Sequence, residues 1–562
     1  IIDLLLARKA SGSSSVLLMI VNNFLNIRQP KFIIHHSSFI ILPSTSRRFW
    51  ITMALCAIIY LPSLFWALGL DQNIFAEIGW LLLHGQKLYV NAWDVKPPNV
   101  FYIYGFFEWI FGPHVFAVRI SDYIFSLLAC AAVYMATARQ APHISRTDHK
   151  WIPPLASLLL IITLLSLGLA DTAQTESYSL FFLVGASVLV QAPRIRGLKR
   201  ESSNLLFIAG IFLGIAAFLK TSNAVFVIAI IIEVWLYTRR LRMRSIAIML
   251  SGYIVCCAAQ LGVLAMQGSL AEYLHIARGV LLEHPKEISQ LTFSQVPLTV
   301  WAYVDLWILI TLVAIGIAIW RRHISFLRAA LSPSILLIAG IVAVLIQNKG
   351  WGYQYVVILP GLGRLCAISA AYVYHFFRWR EPKAAKPLAA IVILATIFIT
   401  PSARRRIHYS EDALRSIQHH SAYLASLGAK QSLYYPPCTD SLAMYLSSHT
   451  KPSDEVFIFG EEPGAYWRAD RIPASRFVYS LLFTSGVIPT RDLRAMQDSL
   501  VQKRPEIITV ERFDTTAFRG RPETSESLLA ADTIFRPLKE LLSNAYQSKD
   551  TVCGKFLIYT RR

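Results

Sequence analysis

The sequence predicts an α-helical polytopic membrane protein carrying a small C-terminal α/β domain, and three observations support this. Of 562 residues, 55% are hydrophobic and only 16% charged, and mean hydropathy is +0.48. That is too apolar for a normally wetted surface. Apolar stretches of about 17 to 25 residues, long enough to cross about 30 Å of hydrocarbon, recur through the first four hundred residues. Beyond residue 401 the chain turns polar, and strand-like runs alternate with helical patterns.

In chain order, residues 1–48 hold two short apolar patches, VLLMIVNNFLNI and FIIHHSSFIILP. They read as an ill-defined extension, open to a signal-like or interfacial helix. Eleven spans follow, at 49–70, 114–138, 151–170, 177–192, 204–219, 222–238, 246–266, 298–320, 331–347, 354–377 and 386–401. Together they make residues 49–401 the membrane domain. Basic clusters fall in alternate loops: Arg47/Arg48, Arg139/Arg146/Lys150, Arg194/Arg196/Lys199/Arg200, Arg239/Arg240/Arg242/Arg244, Arg321/Arg322/Arg328 and Arg378/Arg380/Lys383/Lys386. The positive-inside rule makes these loops cytoplasmic. The net charge of +20, from 54 Lys+Arg against 34 Asp+Glu, therefore records topology, and no nucleic-acid partner is expected. An odd number of spans starting inside ends outside, so residues 402–562 are expected to form an extracytoplasmic domain, although Arg404, Arg405 and Arg406 fit that side poorly. Its strands are read at VFIFG (456–460), EIITV (506–510) and KFLIYT (555–560), with RDLRAMQDSLVQK as a helix. Cys56, Cys130, Cys256, Cys257 and Cys366 lie in apolar spans as small apolar residues. Cys438 and Cys553 are free to pair if the tail lies outside the cytoplasm.

The outward loops carry Asp71, Glu77, Asp94, Asp171, Glu176, Glu283 and Glu287. The loop after the first span, residues 71–113, is the densest. Ile74, Phe75, Ile78, Leu81 and Leu82 recur at helical spacing, which predicts a short helix lying in the membrane plane with one greasy face. Gly85 stops it. In LYVNAWDVKPPN, Tyr89, Trp93, Asp94 and Lys96 precede Pro97 and Pro98, which stiffen the backbone and open the next helix. That helix bears Phe101, Tyr104, Phe107 and Phe111 on one face. Two interfacial helices would thus frame a pocket into which Asp71, Asp94 and Lys96 point. Solvated loop charges with an aromatic belt would give the same pattern.

The order Asp71, Ala76-Glu77, Gly85, Leu88-Tyr89, Trp93-Asp94-x-Lys96-Pro97-Pro98, Phe111-Gly112 and Arg119 resembles the first outer loop of GT-C glycosyltransferases. Within these it is most similar to the bacterial branch related to protein mannosyltransferases and lipid A aminoarabinose transferase (glycosyltransferase family 39/83-like). The likeness continues at Thr172-Ala173-Gln174-Thr175-Glu176, Lys220-Thr221-Ser222-Asn223 and Lys349-Gly350-Trp351-Gly352-Tyr353-Gln354-Tyr355, and in the tail from Phe459 to Phe477. It covers residues 49 to about 480.

The resemblance implies a GT-C fold and transfer of a sugar, with inversion, from a polyprenyl-phosphate carrier to an acceptor hydroxyl of an envelope lipid, glycan or protein. The expected setting is the outer face of the bacterial inner membrane. It implies Asp71 as general base and Lys96 on the donor phosphate. Glu176 or Asp171 is the second acid, Glu176 being favoured, and Lys220 and Lys349 are further phosphate cations. Glu77, Asp94, Tyr89, Trp93, Pro97 and Pro98 would shape the loop. Relatives differ in metal dependence, so a divalent metal ion is allowed without being required. The spacing of Asp94 and Lys96 departs from the lipid A branch, where the acid is adjacent to the lysine. His275, Arg278 and His284 read first as a solvated loop helix, and Glu461 and Glu462 as surface charges. Two other classes remain: a glycan ligase or polymerase using a diphosphate carrier, which lacks the early loop, and a transporter, which would show paired halves and mid-membrane charges.

Overall fold

The computed structural model describes residues 47–141, 149–191, 202–237, 242–282, 306–348, 350–429, 434–480, 490–512, 525–531 and 535–562, and residues 47–562 pack as one compact unit. The helices of the first half are α1 (Arg47–Tyr60), α2 (Leu70–Leu83), α3 (Asn99–Phe111), α4 (Val115–Gln140), α5 (Ile152–Leu165), α6 (Thr175–Gln191), α7 (Ser202–Ala217) and α8 (Val225–Tyr237). They are followed by α9 (Arg242–Met266), α10 (Leu270–Leu282), α11 (Leu306–Trp320), α12 (Ile324–Gln347), α13 (Leu359–Arg380), α14 (Pro382–Phe398) and α15 (Pro401–Gln418). Each of the eleven expected spans falls on a helix. Five continuous helical stretches are long and apolar enough to cross a bilayer: Arg47–Phe65, Val115–Gln140, Arg242–Met266, Ile324–Gln347 and Gly352–Arg380. Four shorter apolar helices lie at Ile152–Leu165, Ser203–Ala217, Thr221–Tyr237 and Leu306–Trp320. The chain is a multi-pass membrane protein.

Lipid offers no hydrophobic gain for helix pairing, so close packing has to supply it. α7 and α9 meet through Gly210 and Gly252, where an added Cβ would stand 1.9 Å from the Met249 carbonyl oxygen and 2.0 Å from that of Phe207. Deeper in the bundle, buried Glu233 of α8 accepts hydrogen bonds from Ser187 of α6 and Ser332 of α12, and Arg364 of α13 donates to the same Ser332. This knot ties together four helices whose opposite ends or preceding turns carry Glu176, Lys220, Asn348 and Tyr353.

The tail begins with α16 (His420–Ser426) and α17 (Pro436–His449), then β1 (Val456–Phe459), α18 (Gly464–Ala469), α19 (Thr490–Lys503), β2 (Ile507–Glu511), α20 (Ser525–Ala531), α21 (Arg536–Ala545), β3 (Tyr546–Val552) and β4 (Phe556–Arg561). The sheet order is β1-β2-β4-β3, with β1 and β2 parallel and the other pairs antiparallel. β1 and β2 are buried throughout, as parallel strands covered on both faces must be. The three expected strands become β1, β2 and β4. β3 went unread because only its end residues are buried. Cys438 and Cys553 form a disulfide from α17 to the β3–β4 turn, and the five cysteines in the spans are free.

Two expectations need correction. The α2 helix has no wet face: residues 72–81 are all buried. One core runs from Phe75, Trp80 and Trp93 of loop one and Phe101 and Tyr104 of α3 into Phe457, Tyr466, Phe477 and Ile508 of the tail. The tail seals α2 from above, so closely that a Cβ on Gly464 would lie 2.6 Å from Asn73 Oδ1. Only α3 keeps an exposed apolar side, at Phe106, Trp109, Ile110 and Phe111. The second correction concerns Glu461 and Glu462, which are fully buried. Lys555 Nζ stands 2.8 Å from both Glu462 and Glu511, and Ser480 donates to Glu461.

Candidate active site

Loop one and the turn after α5 are held together by groups that sequence spacing could not pair. The expected third span ends early, at Leu165, and residues 166–174 turn back through Gly168 (φ +79°) and Ala173 (φ 55°). The Gln72 amide reaches the carbonyls of Leu169, Ala170 and Thr172 at 3.0, 3.0 and 2.7 Å. Buried Arg119 donates to Thr172 Oγ1 and to the Leu169 carbonyl, both at 3.1 Å. Ala173 is gripped twice, its N–H by Asp122 at 2.9 Å and its carbonyl by the Tyr104 hydroxyl at 2.7 Å. This clamp presents Asp171, which burial pushes up to about 6; the Tyr353 N–H counters that rise, the Asp71 and Glu176 charges add to it, and Arg405 also opposes it. Asp71, in the first turn of α2, is partly exposed within electrostatic reach of Asp171 and Asp94.

The Lys96 turn is equally fixed. Asp94 Oδ1 accepts the Lys96 N–H at 2.8 Å, and the Tyr89 hydroxyl donates to the Lys96 carbonyl at 2.8 Å. Tyr89 sits in the left-handed region at φ 67°. Pro97 and Pro98 are buried, and Asn99 then ties α3 to the end of α7 through the carbonyls of Phe218 and Ile215. The Lys96 ammonium lies 5.6 Å from the Tyr353 ring centroid and 5.9 Å from that of Phe75.

Lys220 reaches the same aromatic ring. It stands 5.5 Å from the Tyr353 centroid and 3.0 Å from Glu176 Oε1. Burial lowers the Lys220 pKa, Glu176 opposes that fall and Lys96 adds to it. Glu176 is fully buried and also accepts from Thr175 Oγ1. Asn223, bonded to Ser179 and to the Ala216 carbonyl, fixes the turn that carries the lysine. Lys220 is thus an ion-paired lysine inside the site. The Tyr353 hydroxyl is buried without a hydrogen-bond partner among the described residues, within electrostatic reach of Asp71, Glu176, Asp171 and Asp94.

The structure therefore brings Asp71, Asp94, Lys96, Asp171, Glu176 and Lys220 together around Tyr353. Glu77 turns away: its carboxylate accepts the Trp467 N–H of the tail at 2.8 Å, and burial pushes its pKa well up. Trp93 also faces the tail, packing on Phe477 at 5.2 Å. His275 and Arg278 are exposed on α10, matching the solvated helix. Lys349, His284, Glu283 and Glu287 lie outside the described residues. Arg406, one of the three arginines that fit the outer side poorly, is buried against Ser166, Ser402 and the Thr396 carbonyl. Among the described residues no three His, Cys, Asp or Glu side chains converge as metal ligands, and both Asp94 oxygens are already occupied. As they are arranged, these described residues do not form a divalent-ion site. Tyr353 and Tyr479, which bonds Asp94 at 2.9 Å, were not singled out from the sequence as site residues. Only the position of Tyr353 in the run from Lys349 to Tyr355 hinted at its place.

No protein-family model and no curated protein sequence matches the chain. Solved structures do. ArnT from Cupriavidus metallidurans bound to undecaprenyl phosphate aligns with a TM-score of 0.56 at 14% identity, over 92% of this chain and 98% of that one. The Archaeoglobus fulgidus oligosaccharyltransferase tethered with an acceptor peptide gives 0.52 at 12% identity, over 92% and 74%. AglB from the same organism, in complex with an inhibitory peptide and a dolichol-phosphate, gives 0.51 at 11% identity, over 92% and 74%. With its helical membrane bundle and small C-terminal sheet domain, the chain has the GT-C fold.

Proposed function

We propose that the chain is a membrane glycosyltransferase that moves a sugar from a polyprenyl-phosphate carrier to an acceptor hydroxyl at the outer face of a bacterial inner membrane. The observation that carries this reading is the pair of ammonium groups, Lys96 and Lys220, flanking the Tyr353 ring at 5.6 and 5.5 Å beside Asp71 and Asp171. Two solved proteins of the same fold bind undecaprenyl phosphate and dolichol-phosphate, which supports a lipid-linked donor here.

In this reading Asp71 takes the proton of the acceptor hydroxyl as its oxygen attacks the anomeric carbon. The bond from that carbon to the phosphate oxygen breaks, with inversion, and the departing phosphate gains negative charge. Lys96 and Lys220 meet that charge where water is scarce and Coulomb interactions are strong. Glu176, favoured from the resemblance as the second acid, is paired with Lys220 and holds it in place, so the part of second acid passes to Asp171 beside Asp71. Lys349 is a further phosphate cation of the same proposal. Residues 49–401 form the catalytic membrane domain and residues 402–562 the outer domain that roofs it. The acceptor is an envelope lipid, glycan or protein.

Asp71→Asn and Lys96→Ala, expressed at wild-type level in membranes, are each expected to lower sugar transfer by at least about a hundredfold. Wild-type turnover by either variant would overturn its role. Cells lacking the protein should accumulate the polyprenyl-phosphate sugar, read by mass spectrometry of lipid extracts.

A further inference from the structure

The backbone from which the Lys96 side chain springs is held at both of its peptide groups. Its N–H goes to Asp94 Oδ1 and its carbonyl receives the Tyr89 hydroxyl. Asp94 has no freedom left either, because its second oxygen accepts the Tyr479 hydroxyl at 2.9 Å from 385 residues downstream. Asp94 and Tyr479 are 1% and 5% exposed. The segment carrying Tyr479 is registered on both sides. Upstream, the Arg476 carbonyl accepts the Trp93 N–H at 2.9 Å, while Phe477 packs on Trp93. Downstream, Ser480 donates its N–H to the Gly460 carbonyl at 2.9 Å and its hydroxyl to Glu461 at 2.8 Å. A buried chain of bonds therefore runs from the Lys96 turn to the charge cluster of the tail domain.

We propose that Tyr479 is a positioning residue of the site, through which the tail domain orients Asp94 and so directs the Lys96 ammonium toward a phosphate. This rests on the reading of Lys96 as the donor-phosphate cation. It assigns the tail a part in the site, and it makes Asp94 the orienter of the lysine rather than a ligand of substrate or metal. The groups facing Asp94 are Lys96, Asp71 and Tyr89 from loop one, Tyr353 from the bundle and Tyr479 from the tail. Burial pushes the Asp94 carboxyl up, and Lys96 and the Tyr479 hydroxyl bond oppose that rise. Removing the hydroxyl lets Asp94 protonate at higher pH, and a neutral Asp94 no longer complements the ammonium.

The test uses the full chain in lipid nanodiscs, with Tyr479→Phe, Asp94→Asn, the double variant, and Tyr445→Phe as a tail control. Undecaprenyl phosphate is the binding probe. Each single variant is expected to bind it about tenfold more weakly at pH 6, as for loss of one hydrogen bond to a charged group. The double variant should be no worse than Asp94→Asn alone. The Tyr479→Phe loss should shrink at pH 8, whereas the Asp94→Asn loss should stay. Independently of any ligand, the acylation rate of the Lys96 amine, read by mass spectrometry against exposed Lys451, should change about threefold in Tyr479→Phe and not in Tyr445→Phe. Unchanged labelling in Tyr479→Phe, or additive losses in the double variant, would overturn the proposal. A wild-type protein that does not bind undecaprenyl phosphate would instead refute the donor reading, and the labelling would still decide the positioning.

Discussion

In the tail, Lys555 is fully buried with one carboxylate oxygen of Glu462 and one of Glu511 at 2.8 Å; in the cleft, Lys220 has one carboxylate at 3.0 Å, and Lys96 has none within ion-pair distance among the described residues. Burial works against both Lys220 and Lys555, yet two carboxylates hold the Lys555 pKa above its ordinary value while one leaves that of Lys220 lowered. The tail cluster is closed, with its cation matched by anions inside the protein. In the proposed function the Lys96 ammonium, with no carboxylate within ion-pair distance among the described residues, is left for an anion that arrives from outside. If the proposed role of the lysines holds, charges serve cohesion in the tail and recognition at the site, and the number of partners separates the two.

The comparison breaks most visibly if the two lysines are removed in turn. Lys96→Ala should leave thermal unfolding nearly unchanged while transfer collapses. Lys555→Met leaves buried carboxylates uncompensated and should cost about 3–5 kcal/mol. That appears as a lower unfolding temperature, with activity per folded molecule retained. Reversed outcomes would erase the distinction. The disulfide sharpens it from the tail side. Cys438 and Cys553 close a loop of 115 residues, so Cys438→Ser should destabilise the protein by about 2–5 kcal/mol, again sparing activity per folded molecule.

The smallest effect is a pH slope in the cleft. Asp171 titrates at about 6 when folded against an ordinary 3.8, so the folded state holds its proton more tightly than the unfolded one. Its contribution to stability therefore falls as pH rises between those values and stays low above them. Asp171→Asn should flatten the stability curve between about pH 4 and 6. If the ionised carboxylate serves the reaction, wild-type transfer should rise through about pH 6, and the variant should lack that limb.

The membrane fold was legible because hydrocarbon thickness imposes a length on apolar runs, and all eleven runs met helices. Most of the sheet was legible from short apolar runs that alternate with helical patterns, whereas β3 is polar along its middle and escaped. Sequence lost what depends on distant partners. Glu461 and Glu462 read as surface acids because nothing local announces Lys555, 93 residues after Glu462. Lys220 was placed at the site by the resemblance alone, because its ion-pair partner Glu176 lies on another helix. α2 read as an interfacial helix because its sealing face comes from Trp467 and Gly464 of the tail. The loop-one motif did gather at one place, Asp71, Asp94 and Lys96 together, because stiff prolines and a short connection leave few alternatives.

The most direct test is a structure of the full chain in lipid with undecaprenyl phosphate added. The phosphate should lie between Lys96 and Lys220 beside Tyr353, within about 4 Å of at least one ammonium nitrogen. A phosphate bound elsewhere, with both ammonium groups left as they are in the ligand-free protein, would contradict the account.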